Sequence, residues 1–128
     1  PDLLPTGRCL PTAGMPGHDL NRFADVADLD LDTVFETRGR EVTLRYEDRG
    51  YDLVISVTPE FQKSVVFTAF CRGMEKTGYR AFCVESQTCC TDAINLSEKG
   101  FADSGLMVLP PGGSKEGGVV YSFKVKEA

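Results

Sequence analysis

The sequence predicts an all-β fold, an antiparallel β-sandwich stapled by disulfides. Three observations carry that expectation. Seven or more short segments alternate apolar and polar residues, with turn residues between them. Helical signals are confined to one stretch. Five cysteines accompany an Asn95-Leu96-Ser97 glycosylation sequon, and together they favour an oxidising, secretory or extracellular compartment. The 128 residues make about one domain, enough to bury roughly two-thirds of the unfolded surface.

Residues 1–27 read as an irregular leader and 28–128 as a single sandwich domain. The stretch 1–22 holds three Gly and four Pro, which allow no regular element. It is expected to lie over the domain, pinned by Cys9. In "DLDLDTVF", residues 28–35, Asp28, Asp30 and Asp32 alternate with Leu29 and Leu31, which predicts a half-buried strand with an acidic outer face.

A hairpin follows in "REVTLRYEDRGYDLVISV". Turn chemistry allows a three-residue loop at Asp48–Gly50. That register splits the apolar faces. A four-residue loop, Glu47 to Gly50, pairs Tyr46 with Tyr51, Leu44 with Leu53 and Val42 with Ile55. A one-residue slip moves every side chain to the other face, so burial selects the four-residue loop.

"SVVFTAFC" (64–71) is almost continuously apolar, so both its faces should be covered. "GYRAFCVE" (78–85) returns after a turn centred on Thr77. That turn sets Cys71 opposite Cys83, within disulfide reach at a non-hydrogen-bonded pair. Cys89 and Cys90 are adjacent and too close at Cα to bond each other. Cys9 is therefore expected to take one of them, leaving the other unpaired. A short helical turn fits "TDAINLSEKG", with Asp92 or Thr91 as cap and Gly100 as stop. "GLMVLP" and a Gly-rich hairpin loop, "PPGGSKEGG", lead to the last strand, "VVYSFKVKE". There Tyr121, Phe123 and Val125 should point inward, and Ser122, Lys124 and Lys126 outward.

The charge lies unevenly. Residues 1–36 carry seven acids and two bases, whereas 37–128 balance; the net charge is −5. A chain with no basic block is a poor binder of nucleic acid or anionic membranes. No apolar run approaches the ~20 residues of a membrane span. The chain starts at Pro1 without a signal-peptide segment, so it reads as a processed protein or an excised domain.

The titratable groups do not converge on chemistry. His18 is the single histidine and sits in a loop, so no Cys–His or Ser–His pair is expected, and no enzyme. Asp28, Asp30 and Asp32 match the first calcium-loop positions. However, Thr33 stands where that loop needs Gly, and Gly39 where it needs Glu. The cysteine spacing does not suit zinc, and no cofactor or metal is expected. Recognition through an exposed edge or sheet face remains. Phe61, Met74 and Phe101 fall in or beside loops and are candidates for a compact apolar patch, with Asp28, Asp30 and Asp32 as a charged rim.

Over "FETRGREVTLRYEDRGYDLVISVTPEFQKSVVFTAF", residues 35–70, the chain resembles the opening strands of galectins. From Cys9 to "VVYSFKVKE" it is similar to the galectin-like C-terminal domains of the micronemal protein 1 adhesins of apicomplexan parasites. The resemblance rests on the strand pattern, the five cysteines and the acidic leader. It implies a galectin-like jelly roll, secretion through micronemes, and a role in adhesion and host-cell invasion. It also implies docking onto a cysteine-rich, EGF-like partner whose folding and transport it assists. Galectin sugar sites use a His–Asn–Arg strand, a following Asn and a Trp–Glu–Arg strand. Here "VVFTAFCRGM" and "YRAFCVESQ" hold the corresponding places without His, Asn or Trp. A lectin binding host glycans is the alternative.

Overall fold

The computed structural model describes residues 4–37, 41–68 and 81–126. The strands among them are β1 (Asp32–Glu36), β2 (Val42–Tyr46), β3 (Tyr51–Val57), β4 (Lys63–Phe67), β5 (Cys83–Gln87) and β6 (Val119–Val125). They form two antiparallel three-stranded sheets, ordered β1-β4-β5 and β2-β3-β6. One short helix, α1 (Ala93–Glu98), lies between β5 and β6. The fold is all-β, as the alternating segments predict.

The β2–β3 hairpin has the register that burial selects. Tyr46 faces Tyr51, Leu44 faces Leu53 and Val42 faces Ile55. Glu47–Arg49 form a 3-10 turn closed by Gly50, whose left-handed φ of 71° suits glycine. Across β3, Ile55 pairs with Tyr121, Leu53 with Phe123 and Tyr51 with Val125, so β6 continues the same apolar row.

The two sheets face each other across a cavity of about 430 Å³. Val42 and Leu44 line it from one sheet, Val66 and Val84 from the other. As its apolar run predicts, β4 is covered on both faces: Lys63, Ser64 and Val66 are buried and Val65 half-buried. Lys63 is 4% exposed, and its ammonium meets Glu36 of β1 at 3.2 Å. A charge this deep is tolerated because it is paired.

Four expectations need correction. The strand predicted over 28–35 begins only at Asp32. Asp25 accepts a hydrogen bond from the Ala27 N–H at 2.9 Å and starts a 3-10 turn over Val26–Asp28, a local cap that competes with the strand. Cys83 stands opposite Phe67, not Cys71; Cys71 itself lies outside the described residues. "GLMVLP" is irregular, so the Gly-rich stretch after it does not join two strands as a hairpin. Finally, Tyr121, Phe123 and Val125, expected to point inward, are 61%, 66% and 80% exposed, whereas Ser122, expected outward, is the one half-buried residue of the strand. The strand is the outermost of its sheet, and its polar row, opposite buried Val54, has the more cover.

The helix forms where its start and stop signals lie. Asp92 takes the N-cap position with φ 58°, and its carboxylate accepts from the Asn95 side-chain amide rather than from the helix backbone. At the other end Gly100 is left-handed, and the Phe101 N–H closes onto the Leu96 carbonyl at 2.9 Å. Leu96 and Ala93 are buried.

The leader is fastened at its end by one side chain. Thr68, 1% exposed, donates its hydroxyl to the Leu29 carbonyl and accepts from the Leu31 N–H, both at 2.9 Å. Its own N–H reaches the Leu31 carbonyl at 2.8 Å. Leu31, 1% exposed, is thereby driven into the core. Replacing Thr68 with Val keeps the volume but leaves buried backbone groups of Leu29 and Leu31 unpaired. Denaturant melts of Thr68→Val should show a loss of about 1–3 kcal/mol; an unchanged midpoint and slope would show that water replaces the hydroxyl at no cost.

Candidate functional site

The most exposed apolar surface among the described residues follows β6. Val120, 59% exposed, lies on one face of this strand, and Tyr121, Phe123 and Val125, 61–80% exposed, lie together on the other. On ordinary side-chain areas these residues offer on the order of 400 Å², a patch of the size that marks an interaction site. Part of the patch is ordered by stacking. Tyr46 and Tyr51 lie 5.1 Å apart between ring centroids, and Phe123 meets Tyr51 edge-on at 5.4 Å.

The backbone of β6 is open along one side. Thr58 donates its N–H to the Gly118 carbonyl, and the Lys126 N–H donates to Gly50. Alternation then turns the amides of Val120, Ser122 and Lys124 toward β3. Those of Val119, Tyr121, Phe123 and Val125 point away from it. No described strand pairs with that side. Tyr121, Phe123 and Val125 are therefore both exposed and free in their N–H and C=O groups, whereas exposed Val120 is bonded to β3.

The other face of this sheet is polar and cationic near its end. Arg45 holds both carboxylate oxygens of Asp52 at 3.1 Å, Lys126 lies 3.7 Å from one of them, and Lys124 stands across from Asp52 in register. The hydrogen bond from Arg45 holds the Asp52 carboxyl below its usual range. Arg45 also covers the Phe23 ring at 3.8 Å, fixing part of the leader to this face.

The residues singled out from sequence are scattered by the fold. Asp28, Asp30 and Asp32 are all exposed, Asp28 on the 3-10 turn and Asp32 on β1, in the sheet that does not contain β6. Phe61 is half-buried, and its ring lies where a Cβ on Gly117 would meet it at 2.8 Å. Phe101 is half-buried against Gly7 of the leader. Each closes a loop. Met74 lies outside the described residues. Alternation does place Tyr121, Phe123 and Val125 on one face, but which face is covered depends on what lies against the sheet, and here the half-buried residue of β6 is Ser122 on the other.

Cys9, Cys83, Cys89 and Cys90 are free thiols. The expected staple is thus not formed among the described residues, although its members gather. Burial pushes the Cys90 thiol up; the Lys63 ammonium opposes this, and neighbouring Cys89 and Cys9 reinforce it. The contact of Gly7 with Leu96 and Phe101 carries the leader to this place. Asn95 and Ser97 of the sequon are exposed on α1.

His18 is half-buried beside the Phe35 ring, and its Nδ1 lies 3.1 Å from the Pro16 carbonyl, to which a protonated Nδ1 donates. Among the described residues no group of three or more His, Cys, Asp or Glu side chains could hold a metal ion. No helix among them is long and apolar enough to cross a membrane. No protein-family model, curated protein or solved structure matches the chain.

Asp19 organises the leader loop. It accepts from the Gly14 N–H at 2.9 Å, from the Asn21 side chain at 3.0 Å and from Arg22 at 3.2 Å. These bonds, Gly14 first, hold its carboxyl at about 2, against an ordinary 3.8. A depressed carboxyl stabilises the loop above its unfolded value, and that contribution disappears as pH falls through the folded one. Amide protection at Gly14 and Asn21, corrected for intrinsic exchange, should therefore fall between about pH 4 and 2. Asp19→Asn should lower it already at neutral pH, and protection independent of both changes would remove Asp19 from this role.

Proposed function

We propose that this chain is a non-catalytic protein-interaction domain of a secreted cell-adhesion complex. It docks onto a cysteine-rich, EGF-like partner and assists that partner's folding and transport. The observation that carries the reading is the uncovered apolar row of β6 with its free backbone. A partner rich in disulfides offers little apolar area of its own, and a compact aromatic patch suits it.

The finer architecture belongs to the same reading. The two facing sheets support a galectin-like jelly roll. The thiols around Cys90 support a strap between Cys9 and either Cys89 or Cys90 in a secretory, microneme-type compartment. Asn95, exposed on α1, is accessible to a glycan. Non-reducing peptide mapping of secreted protein should recover a Cys9-containing cross-link, and full alkylation of every cysteine would remove the strap.

The decisive experiment truncates the patch. In the Tyr121→Ser/Phe123→Ser double variant, calorimetry against a folded EGF-like module should show binding weakened by about 30-fold or more, the equivalent of about 2 kcal/mol. The melting temperature should hold, because both rings are largely exposed. His18→Ala should leave binding intact. Undiminished affinity in the double variant would place the partner elsewhere, with the Asp28, Asp30 and Asp32 face the next to test by reversal to Lys.

A further inference from the structure

We propose that β6 captures its partner by strand addition. An extended segment of the partner, alternating apolar and acidic residues, pairs along the open edge and widens the β2-β3-β6 sheet. The inference rests on the docking reading above and adds how the partner is held and what it carries.

The edge is built to accept a strand. All seven residues from Val119 to Val125 pair with β3 in unbroken register, so no bulge twists the edge away. The strand contains no proline. Its outward amides belong to Val119, Tyr121, Phe123 and Val125, giving four donors and four acceptors in one line. An added strand satisfies them with main-chain groups, which any sequence supplies.

Side chains then choose the sequence. On one face, the added strand lies beside Tyr121, Phe123 and Val125, so its residues on that side must be apolar. On the other, it lies beside Lys124 and Lys126; Arg45 and Lys126 pair with the Asp52 carboxylate, Lys124 stands across from it in register, and Glu47 is the further acid acting on Arg45, so three cations meet two acids. Excess positive charge on this face favours acids at the alternating positions.

The same charges argue against a second copy as the occupant. Pairing β6 with another β6 brings two more lysines per strand to a face end where Arg45, Lys124 and Lys126 already gather around Asp52. Lysines on an open edge are a common means of discouraging self-pairing. An acidic strand meets no such barrier.

The test uses two synthetic probes, capped heptapeptides alternating valine with glutamate and valine with lysine. In amide-exchange NMR on the whole chain, the glutamate peptide should slow exchange at Val119, Tyr121, Phe123 and Val125, leaving Val120, Ser122 and Lys124 as they were. It should bind more tightly than the lysine peptide by about tenfold or more. Phe123→Ala keeps the N–H and removes the ring. Phe123→Pro also removes the N–H on the open side, where an edge strand tolerates proline. The proline variant should bind the glutamate peptide about tenfold more weakly than the alanine variant. Equal losses, with no new protection in the wild-type exchange data, would sink strand addition while leaving docking on the apolar face intact. No loss in either variant removes β6 from peptide binding altogether. Equal binding of the two peptides overturns the acidic assignment, and a concentration-dependent dimer protecting those four amides, seen by sedimentation, assigns the edge to a second copy.

Discussion

A strand in the middle of a sheet must be covered on both sides, and β3 is where this chain meets the requirement. Leu53, Ile55 and Val57 share one face and Val54 lies on the other, and both Ile55 and Val54 are buried. Both neighbouring strands take their registers from it, β2 through the four-residue turn and β6 through the long return. A shift of one residue at β3 would turn Val42, Leu44, Tyr121 and Phe123 away from the opposing sheet together. The aromatic row of β6 and the polarity of its two faces are thus consequences of one alignment made in the middle of the chain.

The cover over that row is unequal. Val42 and Leu44 line a cavity with Val66 and Val84, whereas no residue of β6 lines it. A three-stranded sheet has two flanks, and here Phe23 of the leader lies under Arg45 of β2, while no described strand pairs with the outer side of β6. The asymmetry distinguishes the flank that completes the domain from the flank available to a partner.

What could be read from sequence follows from this geometry. The β2–β3 alignment was legible because its competitor differed by an odd slip, which reverses faces and exposes the row. The β4–β5 alignment was not. Placing Cys83 opposite Cys71 or opposite Phe67 differs by an even number of residues, leaves the faces unchanged, and gives alternation nothing to decide. The start of β1 was hidden because Asp25 reaches only two residues ahead, a cap that apolar periodicity does not register. Phe61 and Phe101 looked available for docking because the glycines they close upon, Gly117 and Gly7, are remote in sequence. The site was half legible: Tyr121, Phe123 and Val125 could be assigned a face, but exposure depends on which strands lie opposite, a matter of sheet width.

The pairing of β3 with β6 also sets an order of assembly. The β2–β3 hairpin is local and can form as soon as Val57 has emerged during synthesis, whereas its third strand arrives only after β4, β5 and α1 have been made. Until then both flanks of the hairpin are open, and the strand from Tyr51 to Val57 has β2 on one side and no neighbour on the other. Contacts between distant parts of a chain close late and slowly, and apolar strands waiting for them are prone to wrong pairings. A newly made chain therefore passes through a stage in which its central strand is unprotected, and the arrival of β6 moves that vulnerability outward by one strand.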